Sequence, residues 1–442
     1  MSAQNPSGTT AGTSPMPATE SLSTPARKRS GQVTTGVAVA IAVVLLAVGI
    51  GGGYFLGAYL TKTSTPTIDI TETGSTLLEP LMDIWGPNYT SLVNSHVVLS
   101  PSGGGSGQGQ SESEAGTIDI GASDAYTGSK LGVVDVPVAI SSQLVVYNLA
   151  SVPQLAHVHL NLNGTILAEI YEGTIKSWND TLIKNANPTV AKYLPNASIE
   201  PVVRSDSSGD TYIFSVYCDM SYAGWTYGNS TKAFSSTPPA DGFDSGSGNK
   251  GVVDELVNVS DSIGYVGVSY LSDVNSSGKL GYAALGDNNA NGAGGNVSAS
   301  AANQKNYILW SLQNVSYDAS LGLANLNYAT DGLALSLILG GSPNGPSNPN
   351  NWTAGGGGKN NTTADPSPYP IVNLEYALIK TSPSDPSHQA YVVAFVEWAI
   401  SAGNYGANGS RSAYLADVNF VALTPQLEGY DLEALAKVTT SG

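Results

Sequence analysis

Residues 204–211 read Arg-Ser-Asp-Ser-Ser-Gly-Asp-Thr, a combination suited to one tetrahedral oxyanion. A guanidinium offers a planar fork of donors that matches two oxygens of such an anion at once. Ser207, Ser208 and Thr211 add hydroxyl donors, and Gly209 lets the backbone come close. If the Ser-Ser-Gly turn opens a helix, its first turn adds N–H groups without an intrahelical partner and the positive end of the helix dipole. Two more loops share this composition, Gly74-Ser-Thr-Leu77 and residues 102–109, and Asp124 ends another strand-like segment. One such loop usually only turns a chain. Three of them, with Arg204 beside the last, point to a common anion site. The middle loop lacks the Gly-Lys-Ser/Thr ending of a nucleotide P-loop, and its glycines miss the G-x-G-x-x-G spacing.

A carboxylate is tolerated beside an anion when it accepts a hydrogen bond, and an ionised Asp can only accept. Asp124 therefore predicts a ligand that still carries a proton. Mono- and dibasic phosphate qualify; sulfate would set oxygen against carboxylate in a desolvated site. The plainer readings are a turn cap for Asp124 and a structural ion pair with Asp206 for Arg204, and the second does not conflict with binding.

These loops need strands before them and helices after them. Residues 68–70, 96–99 and 117–120 read as strands, with a helix-like run through Trp85 and a polar helix ending near Ala115. Strand, small-residue loop and helix alternate, which predicts a parallel α/β sheet. The apolar segment 136–147 carries the chain out of a first lobe. Residues 199–203 and 263–270 read as strands of a second lobe, and 166–171 and 211–218 as its helices. Residues 340–367 turn to Gly, Asn and Pro and read as a surface insertion. The pattern resumes as a strand at 369–379 and a helix at 388–402, with Val392, Phe395, Val396 and Ile400 on one face. The resulting fold is α/β and two-lobed, with two mixed sheets flanked by helices and joined by two crossing strands. Lobe I spans 68–146 plus 370–436 and lobe II spans 147–369, with the ligand between them at the carboxyl ends of the strands.

Composition bounds the remaining options. The chain has 442 residues, 51 of them Gly and 24 Pro, with 12% charged residues, so it is turn-rich but long enough for two sizeable domains. A single cysteine, Cys218, leaves no intrachain disulfide to form. Residues 1–33 read as a disordered cytoplasmic tail, and Arg27-Lys28-Arg29 precedes an uncharged stretch from Gly36 to Leu60. Residues 34–60 are thus expected to be a retained transmembrane anchor, followed by a linker over 61–67 and an exported remainder. The alternative is a cleaved signal peptide, whose apolar region would be shorter. Asn-x-Ser/Thr sequons, among them Asn88, Asn163, Asn196, Asn258, Asn314 and Asn408, lie only after this segment, as a glycosylated outer-surface protein would have them. Outside the tail stand 14 Lys and Arg against 33 Asp and Glu, a net charge of −19. Such a surface repels nucleic acid, and its anion site must work through short-range donors. His157 and His159 alternate as a metal pair would but have no evident third ligand. His388 reads as a helix cap, and Trp85, Trp178 and Trp398 as core. No cofactor or metal is implied, and no histidine lies near the three loops to activate a nucleophile.

Further motifs carry a resemblance. Gly74 to Leu81, Gly105-Ser-Gly107, Thr117 to Tyr126, Ile170 to Trp178, Arg204 to Thr211, Ile263-Gly-Tyr265 and Tyr369 to Tyr376 occur in one order. The chain resembles the phosphate-binding component of phosphate ABC transporters over about residues 68–435, with insertions near 285–300 and 340–367. It is closest in style to membrane-tethered members of the actinobacterial and archaeal type. The resemblance implies phosphate contacts from Thr76, Leu77 by its backbone N–H, Ser106, Asp124, Arg204, Ser208, Gly209 and Asp210 or Thr211. It makes Asp206 the partner of Arg204 and implies the transporter's permease subunits as partners. Many members have Thr directly after the Ser-Gly pair, where this chain has Asp210 and then Thr211. Asp210 is then either a second proton acceptor or a helix-start residue facing elsewhere. Other readings on the same fold are a phosphatase-like enzyme, a ligand-free structural surface protein and a binder of another tetrahedral oxyanion.

Overall fold

The computed structural model describes residues 66–125, 127, 132–156, 158–228, 242–285, 371–401, 403, 413–420, 422–423 and 425–440. The expected tail, anchor and most of the linker, His157, the sequons at Asn314 and Asn408 and the 340–367 insertion lie outside the described residues. Among the described residues, no helix is long and apolar enough to cross a membrane.

The strands are β1 (Ile68–Gly74), β2 (Val97–Ser100), β3 (Ile120–Ser123), β4 (Val133–Asn148), β5 (Asn161–Leu162), β6 (Glu200–Arg204), β7 (Asp244–Gly246), β8 (Ser262–Gly267), β9 (Leu280–Tyr282), β10 (Ala284–Leu285) and β11 (Val372–Lys380). The longer helices are α1 (Glu79–Leu92), α2 (Ser106–Ala115), α3 (Gly164–Tyr171), α4 (Gly209–Ser221), α5 (Gly248–Asn258), α6 (Pro386–Ile400) and α7 (Pro425–Leu435).

The sheet runs β2-β1-β3-β11-β4-β8-β6-β7, with β9 also on β4, and β5 and β10 form a separate pair. The sets β2-β1-β3 and β8-β6-β7 are each parallel, as the alternation of strand, loop and helix requires. Between them run β11 and β4, antiparallel to each other and to their neighbours. The two halves are therefore one hydrogen-bonded path rather than two separate sheets. β4 makes the join: residues 133–142 pair with β11, and 143–147 pair with β8. All its residues are buried, which is why it reads as a largely apolar, β-branched run, broken mainly by Ser141-Ser142-Gln143. The return crossing is described only from Ile371, whose carbonyl accepts from the Gln143 N–H. Pro137, which has no N–H to give, stands opposite Tyr376, and the register slips there between Glu375 and Tyr376.

Two boundaries differ from the sequence expectation in ways that bear on function. The third strand is Ile120–Ser123 rather than 117–120. Its Gly-Ala-Ser residues are small because α2 lies directly on them: a Cβ on Gly121 would stand 2.3 Å from the Gly109 carbonyl oxygen. Helix α4 starts at Gly209, two residues earlier than expected, so Gly209 and Asp210 occupy its first turn behind the Ser208 N-cap. The core forms around Trp85, Trp178, Phe214, Tyr265 and Phe395, all buried, with the partly buried Trp398 packed on Tyr89 and Phe395.

Candidate functional site

Five strands of the two parallel sets end at one place. The loops after β1, β2 and β3 bring Ser75, Thr76, Ser106 and Asp124 from one half of the sheet. Those after β6 and β7 bring Arg204, Asp206, Ser208, Asp210 and Asn249 from the other. The halves touch directly. The Gly107 N–H donates to the Ser207 carbonyl at 3.0 Å, and the Asn249 N–H donates to Thr76 Oγ1 at 3.0 Å. Gly105 holds φ at 85°, and a Cβ there would meet Asp206 Oδ2 at 2.4 Å, so the tightest point of the contact takes glycine on both counts.

Arg204 is fully buried at the end of β6. Its Nε donates to Asp206 Oδ1 at 2.8 Å, one terminal nitrogen pairs with Asp206 Oδ2, and the other donates to Asp210 Oδ2 at 2.5 Å. Three of the five guanidinium N–H groups are spent in these contacts, leaving one on each terminal nitrogen for a ligand. Asp206 is itself steadied by the Gly248 N–H at 3.0 Å. Asp210 also accepts from Asn249 Nδ2 at 2.8 Å and from Gln143 Nε2 at 3.2 Å. Burial works against the Arg204 charge, but the hydrogen bond to Asp206 and the charges of Asp210 and Asp206 outweigh it and hold the guanidinium protonated. Burial opposes ionisation of Asp206 too, yet the hydrogen bond and charge of Arg204 prevail and hold its carboxyl below the ordinary range.

Asp124 faces this cluster from the other half. Ser75 Oγ donates to its Oδ1, and Ser106 Oγ donates to its Oδ2 at 3.2 Å while accepting the Asp124 N–H at 3.1 Å. Burial, reinforced by the Asp124 charge, pushes Asp210 up to about 7 despite the pull of Arg204 and Asn249. Three buried carboxyl groups, Asp124, Asp210 and Glu375 on β11, thus interact electrostatically around a single buried cation. A ligand for this place needs both anionic oxygens for Arg204 and a hydrogen for a carboxylate.

The structure brings Ser106, Asp124 and Gly209 together: a Cβ on Gly209 would lie 2.5 Å from both Asp124 Oδ2 and Ser106 Oγ. Thr76 joins them through Asn249, and Ser208 caps α4 by accepting the Thr211 N–H. Two of the expected contact groups have partners within the chain. The Leu77 N–H donates to Ser75 Oγ at 3.1 Å, because that serine caps the start of the turn into α1. Thr211 Oγ1 bonds the Tyr265 hydroxyl at 2.8 Å, one helical step inside the second half. The Asp210 carboxylate is turned onto Arg204.

Ser75, Gln143, Asn249 and Glu375 are the residues that sequence reasoning missed. Gly246-Ser-Gly-Asn249 has the composition of the other three loops and opens α5, but the strand before it has only three residues. Ser75 stood inside a motif already singled out. Gln143 and Glu375 lie within strands, where no loop signature marks them. The histidines are bland: His388 pairs with Asp119 at 3.0 Å, the α6 cap being Asp385, and His159 lies outside any strand and contacts the Tyr282 carbonyl. Asn163, in an expected glycosylation sequon, is the N-cap of α3. Among the described residues, no group of three side chains could hold a metal ion.

Two parallel α/β halves meeting over a polar cleft at their strand ends define a two-lobed binding protein. Residues 60–402 match the PBP superfamily domain, and the chain belongs to that superfamily. It is 27% identical over 367 residues to the phosphate-binding protein PstS of Xylella fastidiosa strain 9a5c, an alignment covering 82% of this chain and 84% of that one. With PstS of Haemophilus influenzae it shares 36% over 164 residues, 35% of this chain and 46% of that one. Its fold is similar to the subatomic-resolution structure of a periplasmic phosphate-binding protein, PfluDING, bound with phosphate (TM-score 0.55, 20% identity, 82% of this chain and 92% of that one). A crystal structure of a DING protein is equally close in fold (TM-score 0.56, 18% identity, 82% and 93%). The family is one of substrate-binding proteins, and the chain is not an enzyme.

Proposed function

We propose that the chain is an extracellular receptor for inorganic phosphate that captures the anion between its two halves and hands it to the permease subunits of an ABC transporter. Thr76, Ser106, Asp124, Arg204, Ser208 and Gly209 form the site, with Asp206 and Asp210 clamping the guanidinium. The observation that carries this reading is the pairing, in one closed cleft, of a buried Arg204 keeping two N–H groups for an anion with a buried Asp124 that can only accept. Phosphate satisfies both, because it offers oxygens to the cation and a P–OH to the carboxylate. Exclusion of water from the closed cleft strengthens each of these hydrogen bonds. The similarity to proteins named PstS supports the same ligand and the same transporter partner.

The basic cluster and the apolar segment 34–60 support a tether with the binding domain outside the cell, and the sequon distribution supports glycosylation there. A tether keeps the receptor beside its permease where no outer membrane would retain it.

Equilibrium dialysis with radiolabelled phosphate tests the reading. One phosphate should bind per chain, arsenate should compete weakly because it too is protonated, and sulfate should not compete. Competition by sulfate as strong as by unlabelled phosphate would overturn it.

A further inference from the structure

Glu375 is buried, lies on β11 next to the site, and is used by none of the contacts assigned so far. Its position follows from the strand. Asn373 and Glu375 are two residues apart and share one face of β11. Asn373 Nδ2 donates to the Asp124 carbonyl oxygen, and Ser141 Oγ, on β4, donates to Glu375 Oε1 at 2.5 Å. The register slips just after Glu375, and the carboxyl lies within electrostatic and hydrogen-bonding reach of Asp124. Glu375 Oε2 receives no donor, and the titratable groups facing the carboxyl are Asp124 and Asp210.

Two adjacent carboxylates cannot both stay ionised in a dry site, and such a pair holds one proton between its members. Donor counting says which member carries it. Asp124 already receives Ser75 on one oxygen and Ser106 on the other. Glu375 receives only Ser141, on Oε1, so a proton on Oε2 gives that oxygen a partner in Asp124. A carboxylate has about four lone-pair sites. Two serines and one Glu375 O–H fill three on Asp124 and leave one for the ligand.

We infer that Glu375 is a positioning residue that stays protonated and donates its carboxyl hydrogen to Asp124, leaving that carboxylate a single acceptor site matched to one P–OH. This rests on the phosphate reading above for its functional consequence, although the carboxyl pair itself does not. Burial and the Asp124 charge raise the Glu375 carboxyl well above the ordinary range, in agreement. When Glu375 ionises as pH rises it repels both Asp124 and the anion, so affinity falls.

The test compares the parent chain with Glu375→Gln and Glu375→Leu. The amide of Gln can donate to Asp124 and accept from Ser141 but cannot ionise. Phosphate affinity is measured by calorimetry from about pH 6 to about pH 10. The Gln variant should bind within about twofold of the parent at neutral pH and should lose the part of the alkaline decline due to Glu375, whereas the Leu variant should bind about tenfold more weakly. Infrared difference spectra without phosphate give a readout independent of binding and of the Leu variant's folding. A protonated carboxyl band present at neutral pH in the parent should vanish in Glu375→Gln. If that band is unchanged, or if the Gln variant keeps the parent's alkaline decline, Glu375 is not the proton carrier. If the band vanishes but the parent binds no phosphate, the carboxyl pair stands and the phosphate reading fails.

Discussion

Gly209 and Asp124 come from opposite halves of the sheet, yet a single methyl group on the glycine would stand 2.5 Å from the aspartate's Oδ2. The helix that presents Gly209 therefore reaches Asp124 and Ser106 only because its first residue has no side chain. Gly209→Ala should push the halves apart and weaken phosphate binding by at least about tenfold, ~1.4 kcal/mol. The thermal midpoint without phosphate should hold, since alanine is the better helix former. Calorimetry alongside a melting scan separates the two effects, and an unchanged affinity would show that the close approach is not needed for binding.

Asn249 fastens the same two halves. Its Nδ2 reaches Thr76 Oγ1 at 3.1 Å and Asp210 Oδ2 at 2.8 Å, while its Oδ1 takes the Gly267 N–H at 2.7 Å. Asn249→Ala leaves buried donors and acceptors without partners, a cost of about 1–3 kcal/mol. Part of that should appear as weaker phosphate affinity and part as a lower melting temperature. An unchanged melting temperature and affinity together would mean that water replaces the amide without cost.

Arg204 is fully buried, and its removal should cost more than binding. With Asp206 and Asp210 both paired to it, Arg204→Ala strands the buried Asp210 carboxyl and the partly buried Asp206, a loss of about 3–5 kcal/mol in stability beyond any loss of binding. A residue that merely lined an open cleft would cost affinity alone. Denaturant unfolding of the variant decides: a parent-like midpoint would contradict the ion-pair account.

The stability of the phosphate-free protein should fall as pH rises toward neutrality. Asp210 has a folded value of about 7 against an ordinary 3.8, so between these values the folded state holds a proton that the unfolded chain has lost. Its contribution is complete below the ordinary value and disappears as pH climbs through the folded one. Glu375, Glu72 and Asp431, all raised by burial, act in the same direction. Asp206 acts oppositely, but only below its ordinary value of 3.8. Thermal midpoints should be higher at about pH 5 than at about pH 8, and Asp210→Asn should flatten that slope. A slope identical in the variant would remove Asp210 as its source.

Much of this arrangement was legible in the chain before its structure. Small-residue loops at strand ends announce themselves because glycine and serine there serve neither strand nor helix propensity, and Arg204 stood beside one of them. The largely apolar, β-branched stretch now seen as β4 marked the passage between halves for a physical reason: a strand covered on both faces has no strict alternation to show. The misses share a cause as well. A strand carries no composition signature for the one residue that points into a site, so Gln143 went unmarked, and Glu375, though inside the motif Tyr369 to Tyr376, was not singled out. The sequence also could not tell which polar groups would be taken by neighbours, as Ser75 takes the Leu77 N–H and the Tyr265 hydroxyl pairs with that of Thr211. Three-residue β7 is too short to read as a strand, and Asn249 stayed hidden behind it.

The account stands on Asp124 as an acceptor that recognises the proton on the anion. Calorimetric titration of the parent and of Asp124→Asn with phosphate and with sulfate tests this most directly. The parent should bind phosphate and give no binding heat with sulfate, whereas the Asn variant, whose amide can donate, should bind phosphate about ten- to a hundredfold more weakly and begin to accept sulfate. Unchanged phosphate affinity in Asp124→Asn, with sulfate still excluded, would contradict it.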